Sequence, residues 1–118
     1  MSAIQLQLFR EQTQSGLTYQ HLHIQINTPD GLIAPADLKN LSLPEEMVWS
    51  QGVVIEGKAP IWLYAYLVHA CHPAAWVACF DPRLEGAVII ATHSRQVALG
   101  DILKLNLPAA IFRKTTGT

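Results

Sequence analysis

The chain has 118 residues, a formal net charge of −1, 14% charged residues and 50% hydrophobic ones. That length buries an adequate core as one domain without disulfide or metal staples, and so balanced a charge excludes a diffuse basic surface holding long nucleic acid by counterion release. Cys71 and Cys79 lie in apolar stretches and no secretory leader follows Met1, so free, buried thiols in a reducing cytoplasm are expected.

Ile4, Leu6 and Leu8, then Leu22, Ile24 and Ile26, alternate with polar residues on either side of Gln14-Ser15-Gly16. This pattern predicts a half-buried hairpin, with His21 and His23 on its polar phase facing solvent. Pro29-Asp30-Gly31 reads as a turn, and Pro35-Ala36-Asp37-Leu38 allows a short helix that Pro44 ends. Val53-Val54-Ile55 is a β-branched strand stopping at Glu56-Gly57-Lys58. Pro60 then suits the first turn of a helix, where its missing N–H costs nothing.

From Ala59 to Phe80 there is no Asp, Glu, Lys or Arg. Pro73 divides this run, and a helix over 61–72 reaches only about 18 Å against a hydrocarbon core of about 30 Å. A core or interface helix is expected, not a membrane span. Its apolar residues Ile61, Trp62, Leu63, Tyr64, Tyr66, Leu67 and Val68 cannot all face one sheet, so a second subunit of a homodimer is expected on the other side. Trp76 to Phe80 follows as a strand, parallel to its predecessor because a helical crossover joins them. Gly86 to Thr92 returns antiparallel. Ile102, Leu103, Leu105 and Leu107 suggest a last strand, and the tail from Arg113 to Thr118 is expected to fray. The predicted fold class is α+β: a mixed, mainly antiparallel sheet with one main helix and room for a short second one, close to a ferredoxin-like arrangement.

Parallel strands present their carboxyl ends on one edge, so Glu56-Gly57-Lys58 and Asp81-Pro82-Arg83 are expected to be neighbours. Gly57 permits close backbone approach, the helix N-terminus offers N–H groups, and Lys58 and Arg83 add charge, Arg83 as a fork suited to a phosphodiester. A solvated Lys58 and a structural Asp81–Arg83 ion pair remain the plain alternatives. The same hairpin brings His72 and His93 together at the opposite edge, with His69 one helical turn away. Imidazoles there suit a divalent metal or general acid–base work, while His72 capping helix carbonyls is the plain alternative. Seven residues at about 3.3 Å each put His93 roughly 20 Å from Asp81 within one chain. The two edges reach a common phosphate only if separate copies meet, as in a head-to-tail contact that can also propagate into filaments.

The run GVVIEGKAPIWLYAYLVHACHPAAWVACFDPRLEGAVIIATHS, residues 52–94, resembles the third-named family of CRISPR ring nucleases. These are small accessory proteins of type III systems that degrade the second messenger cyclic tetra-adenylate. The shared marks are Gly-Val-Val-Ile before a Gly, a Pro-Ile-Trp-Leu helix start, a His at the helix end, an aromatic-Asp-Pro-Arg-Leu turn and a Thr-His-Ser strand end. The resemblance implies a manganese-dependent phosphodiesterase whose dimers sandwich the cyclic nucleotide into a homotetramer, cutting it to linear di-adenylate and silencing the effectors it activates. It implies catalysis by His72 and Asp81, nucleotide binding by Lys58 and Arg83, and support of the metal or the phosphate by His93; Gly57 as a binding residue and His72 with His93 as metal ligands are expected from the edges described above. A non-catalytic cyclic-oligoadenylate sensor and a manganese-dependent 3′ RNA deadenylase acting on short RNA are the alternatives. Glu85 lengthens the turn and Glu56 sets an acid beside the phosphate loop, both departures from the pattern. The first fifty residues carry little of it. A single domain over 1–118 is expected, or the front part of a fusion with an ATPase-like domain.

Overall fold

The computed structural model describes residues 2–105. In chain order these form β1 (Ile4–Gln12), β2 (Thr18–Ile26), a short 3-10 helix (Pro35–Asn40), β3 (Gly52–Glu56), α1 (Ile61–Ala70), β4 (Trp76–Asp81), β5 (Gly86–Thr92) and β6 (Ile102–Lys104). The expected α+β class is borne out: a six-stranded mixed sheet with one main helix and one short one. Strands pair in sequential order β1-β2-β3-β4-β5-β6, so no strand inserts between two earlier ones, and here the sheet differs from the ferredoxin pattern. β3 lies parallel to β2 and β4, and the remaining pairs are antiparallel. Leu107 and the tail at 113–118 fall outside the described residues. No helix among the described residues is long and apolar enough to cross a membrane.

α1 begins directly after Pro60, whose fixed φ of −65° ends the extended segment, and its carbonyl accepts the Leu63 amide at 3.0 Å. Leu63 and Leu67, one turn apart, are fully buried against Leu22, Ile24, Val53, Ile55 and Val77. Trp62, Tyr64 and Val68 pack beside them, with Ile33, Leu38, Leu41 and Leu43 from the β2–β3 connection adding cover. One chain therefore buries more of this helix than an isolated sheet could. Ile61, 85% exposed, remains outward with Tyr66.

The second face of the sheet is also an interior. Thr13, just past β1, forms an antiparallel bridge to Leu105, just past β6, and the Gln14 amide donates to the Lys104 carbonyl at 3.0 Å. Diagonally opposite corners of the sheet are thus tied, and the strands coil around Tyr19, Val54, Trp76, Ala78, Phe80, Ala87, Ile89 and Val97. Gly52 makes this possible. The Trp76 ring lies so close that a Cβ at position 52 would fall 1.8 Å from it. The coil overturns one expectation: His21 and His23 do not face solvent. They are 0% and 4% exposed, because the polar phase of β2 is turned inward when the sheet closes on itself.

Candidate functional site

Asp81 ends β4 and opens the turn to β5. The register pairing Ile55 with Cys79 carries Gly57 and Asp81 to the same edge, as the parallel arrangement requires. The Asp81 carboxylate accepts the Arg83 amide at 2.9 Å and the Arg83 guanidinium at 3.4 Å and 3.2 Å. That guanidinium and then that amide hold the Asp81 carboxyl below the usual carboxylate range, and Asp81 in turn raises Arg83. The ion pair is real, yet the Arg83 side chain is 88% exposed against 27% for Asp81. The carboxylate aims the fork while leaving it accessible. Lys58 is exposed. Lys104, opposite Gly86 in the β5–β6 ladder, reaches the Leu84 carbonyl at 3.4 Å; this further cation at the edge was hidden in the sequence because the β5–β6 register brings it there. Gly57 has a packing reason of its own: its φ is +135°, and a Cβ there would meet the Ile24 carbonyl at 2.7 Å. Tyr64 donates its hydroxyl hydrogen to the Gly57 carbonyl at 2.6 Å, fixing the loop to α1.

The opposite end of the β4–β5 ribbon holds the imidazoles. Trp76 pairs with Thr92 while Asp81 pairs with Gly86, so His93 and Asp81 stand at opposite tips, as the strand lengths demand. The His93 amide extends the ladder by donating to the Ala75 carbonyl at 2.8 Å. Its ring Nε2 donates to the His72 carbonyl at 3.1 Å, and the two rings meet edge to face with centroids 5.1 Å apart. His72 lies just past the end of α1, exposed, and His69 is exposed on the helix. Both His72 and His93 are accessible, and the backbone bond fixes which His93 nitrogen points away. Among the described residues no third His, Cys, Asp or Glu donor gathers with this pair. Two imidazoles at this tip are fewer protein ligands than a manganese site ordinarily uses.

A third cluster lies inside the coil. Glu56 Oε1 is 2.7 Å from His21 Nε2 and 2.6 Å from His23 Nδ1, with Glu56 0% exposed. His23 and Glu56 are direct partners in the β2–β3 register. Two histidines two apart on a strand share a face, and that spacing was the available signal. It was overlooked because the face was read as solvated.

Fold and edges define a small α+β domain with an accessible cationic tip and an accessible imidazole tip at the two ends of one β-ribbon. The profile of the family described as CRISPR-associated protein (Cas_csx3) matches residues 26–104. A relative described as an uncharacterized protein, from Aquifex aeolicus (strain VF5), is 39% identical over 75 residues, covering 61% of this chain and 68% of the relative. The chain belongs to the Cas_csx3 family of CRISPR-associated proteins.

Proposed function

We propose that the protein is a ring nuclease, a phosphodiesterase that opens cyclic tetra-adenylate to linear di-adenylate and so switches off type III CRISPR effectors. The observation that carries this reading is the division of its chemistry between the two tips of the β4–β5 ribbon. At roughly 20 Å apart they cannot serve one phosphodiester in one chain. Copies meeting end to end set the Asp81–Arg83 tip of one against the His72–His93 tip of the next. A cyclic ligand with repeating phosphates matches a homotetramer or head-to-tail assembly built that way. Membership of a CRISPR-associated family supports the setting.

In the proposed reaction a ribose 2′-hydroxyl or a water gives up its proton to solvent as its oxygen attacks phosphorus, the P–O5′ bond breaks, and the electron pair leaves on O5′; two such cuts, at opposite phosphates of the ring, give linear di-adenylate. His72, held beside His93, transfers a proton to that oxygen. Arg83 and Lys58 neutralise charge accumulating on the non-bridging oxygens. Manganese dependence is part of the proposal, with its ligands drawn from more than one chain.

The test incubates labelled cyclic tetra-adenylate with the protein, with and without Mn²⁺. Wild type opens the ring, and His72→Ala lowers the rate by about 10²- to 10⁴-fold. A 2′,3′-cyclic phosphate among the products identifies the 2′-hydroxyl as nucleophile. Tight binding with intact substrate under every condition overturns the enzyme in favour of a sensor. Stepwise loss of 3′ adenosines from linear RNA, faster than ring opening, identifies a deadenylase instead.

A further inference from the structure

Polar groups inside a small coiled sheet are costly unless satisfied, and apolar residues of equal volume would be cheaper. Yet His21, His23 and Glu56 are buried in such an interior, at 0%, 4% and 0% exposure. Their donor atoms converge: His21 Nε2, His23 Nδ1 and a Glu56 carboxylate oxygen all lie within 4.8 Å of one another. Both rings aim at the same oxygen rather than dividing between the two, and they approach at 78° to each other, as ligands around one centre do. Nothing else polar holds the His21 ring, whose Nδ1 is buried without a partner.

We infer that His21, His23 and Glu56 form a buried site for a divalent first-row transition ion, zinc being the best match, with a structural role. Two imidazoles and a carboxylate give zinc three donors, an enclosed water would complete the tetrahedron, and bonds of about 2.0–2.2 Å require the donors to stand about 3.3 Å apart. The present separations of 2.6 and 2.7 Å open to that by small side-chain rotations on rigid strands. All three ligands are closed to solvent, so the ion clamps β2 to β3 and does not meet substrate. Glu56 immediately precedes Gly57 and Lys58, and the clamp thereby fixes the start of the cationic edge. The site would exist whether or not the protein cuts cyclic nucleotides.

The test strips the full-length protein with a chelator, dialyses it against Zn²⁺ and counts bound metal. The His72→Ala, His93→Ala double variant serves as background so that surface imidazoles contribute nothing. We expect one equivalent per chain in that background and a rise in Tm of several degrees with zinc. Adding Glu56→Gln should weaken zinc at least 100-fold and abolish the rise. Because the Glu56 variant could fail to fold, Co²⁺ is also added to the background protein, where visible d–d bands of four- or five-coordinate intensity are expected. Folded protein that takes up less than a tenth of an equivalent of zinc, or whose cobalt form shows only the weak bands of the hexaaqua ion, overturns the site. So does stoichiometric zinc retained after Glu56→Gln.

Discussion

Arg83 is accessible and aimed at once, because its turn makes it so: the Asp81 carboxylate takes both the amide and the guanidinium two residues on. Charge alone does not reproduce that geometry. Arg83→Lys keeps the charge and loses the planar fork, so cyclic tetra-adenylate binding should weaken by about tenfold or more in calorimetry. The lowered Asp81 value fixes a sign. A carboxyl held below its ordinary 3.8 keeps the pair intact above that pH and loses it only as pH falls through the lowered value. Ring-opening rates should therefore show no acid limb belonging to Asp81 between pH 7 and 5. A limb in that range that vanishes in Asp81→Asn contradicts the pairing.

At the level of elements, the β4–β5 ribbon was legible almost residue for residue, because an uncharged run, a Pro-Arg turn and a β-branched return are local signals. The parallel edge followed from the crossover helix, and with it the neighbourhood of Gly57 and Asp81. The interior trio was not legible. Alternation along β2 states which residues share a face and says nothing of where that face points, and the direction depends on a bridge between Thr13 and Leu105, positions with no local signature linking them. Gly52 was equally silent: only the Trp76 ring explains it. Gly52→Ala should thus destabilise the fold severely, seen as loss of a cooperative melt, since the ring has to leave its place in the core. Leu67→Ala should cost about 2–5 kcal/mol in urea unfolding. Ile61→Ser, at an exposed site, should change single-chain stability by no more than about 0.5 kcal/mol while shifting sedimentation toward smaller species, if a second copy covers the outer side of α1.

For the whole molecule, two free thiols, Cys71 buried and Cys79 half-buried rather than fully buried as expected, set an alkaline limit. Burial pushes Cys79 up to about 11, and burial with the neighbouring Cys79 pushes Cys71 up to about 12, from an ordinary 9.0. Burial raises Tyr19 and Tyr64 as well. Folded values above unfolded ones mean stability fully present below pH 9 and draining away as pH climbs toward 11 and 12. The urea midpoint should hold between pH 7 and 8.5 and fall steadily above 9, and both thiols should resist alkylation at pH 8 until the chain unfolds.

The tie between Thr13 and Leu105 has a kinetic meaning of its own. Its two halves come from near the two ends of the described chain, and the loop it closes contains β2 to β6, so the joint forms after the ladders between them and opens before they do. Under native conditions the Gln14 amide should trade its hydrogen for deuterium well ahead of that of Ile55.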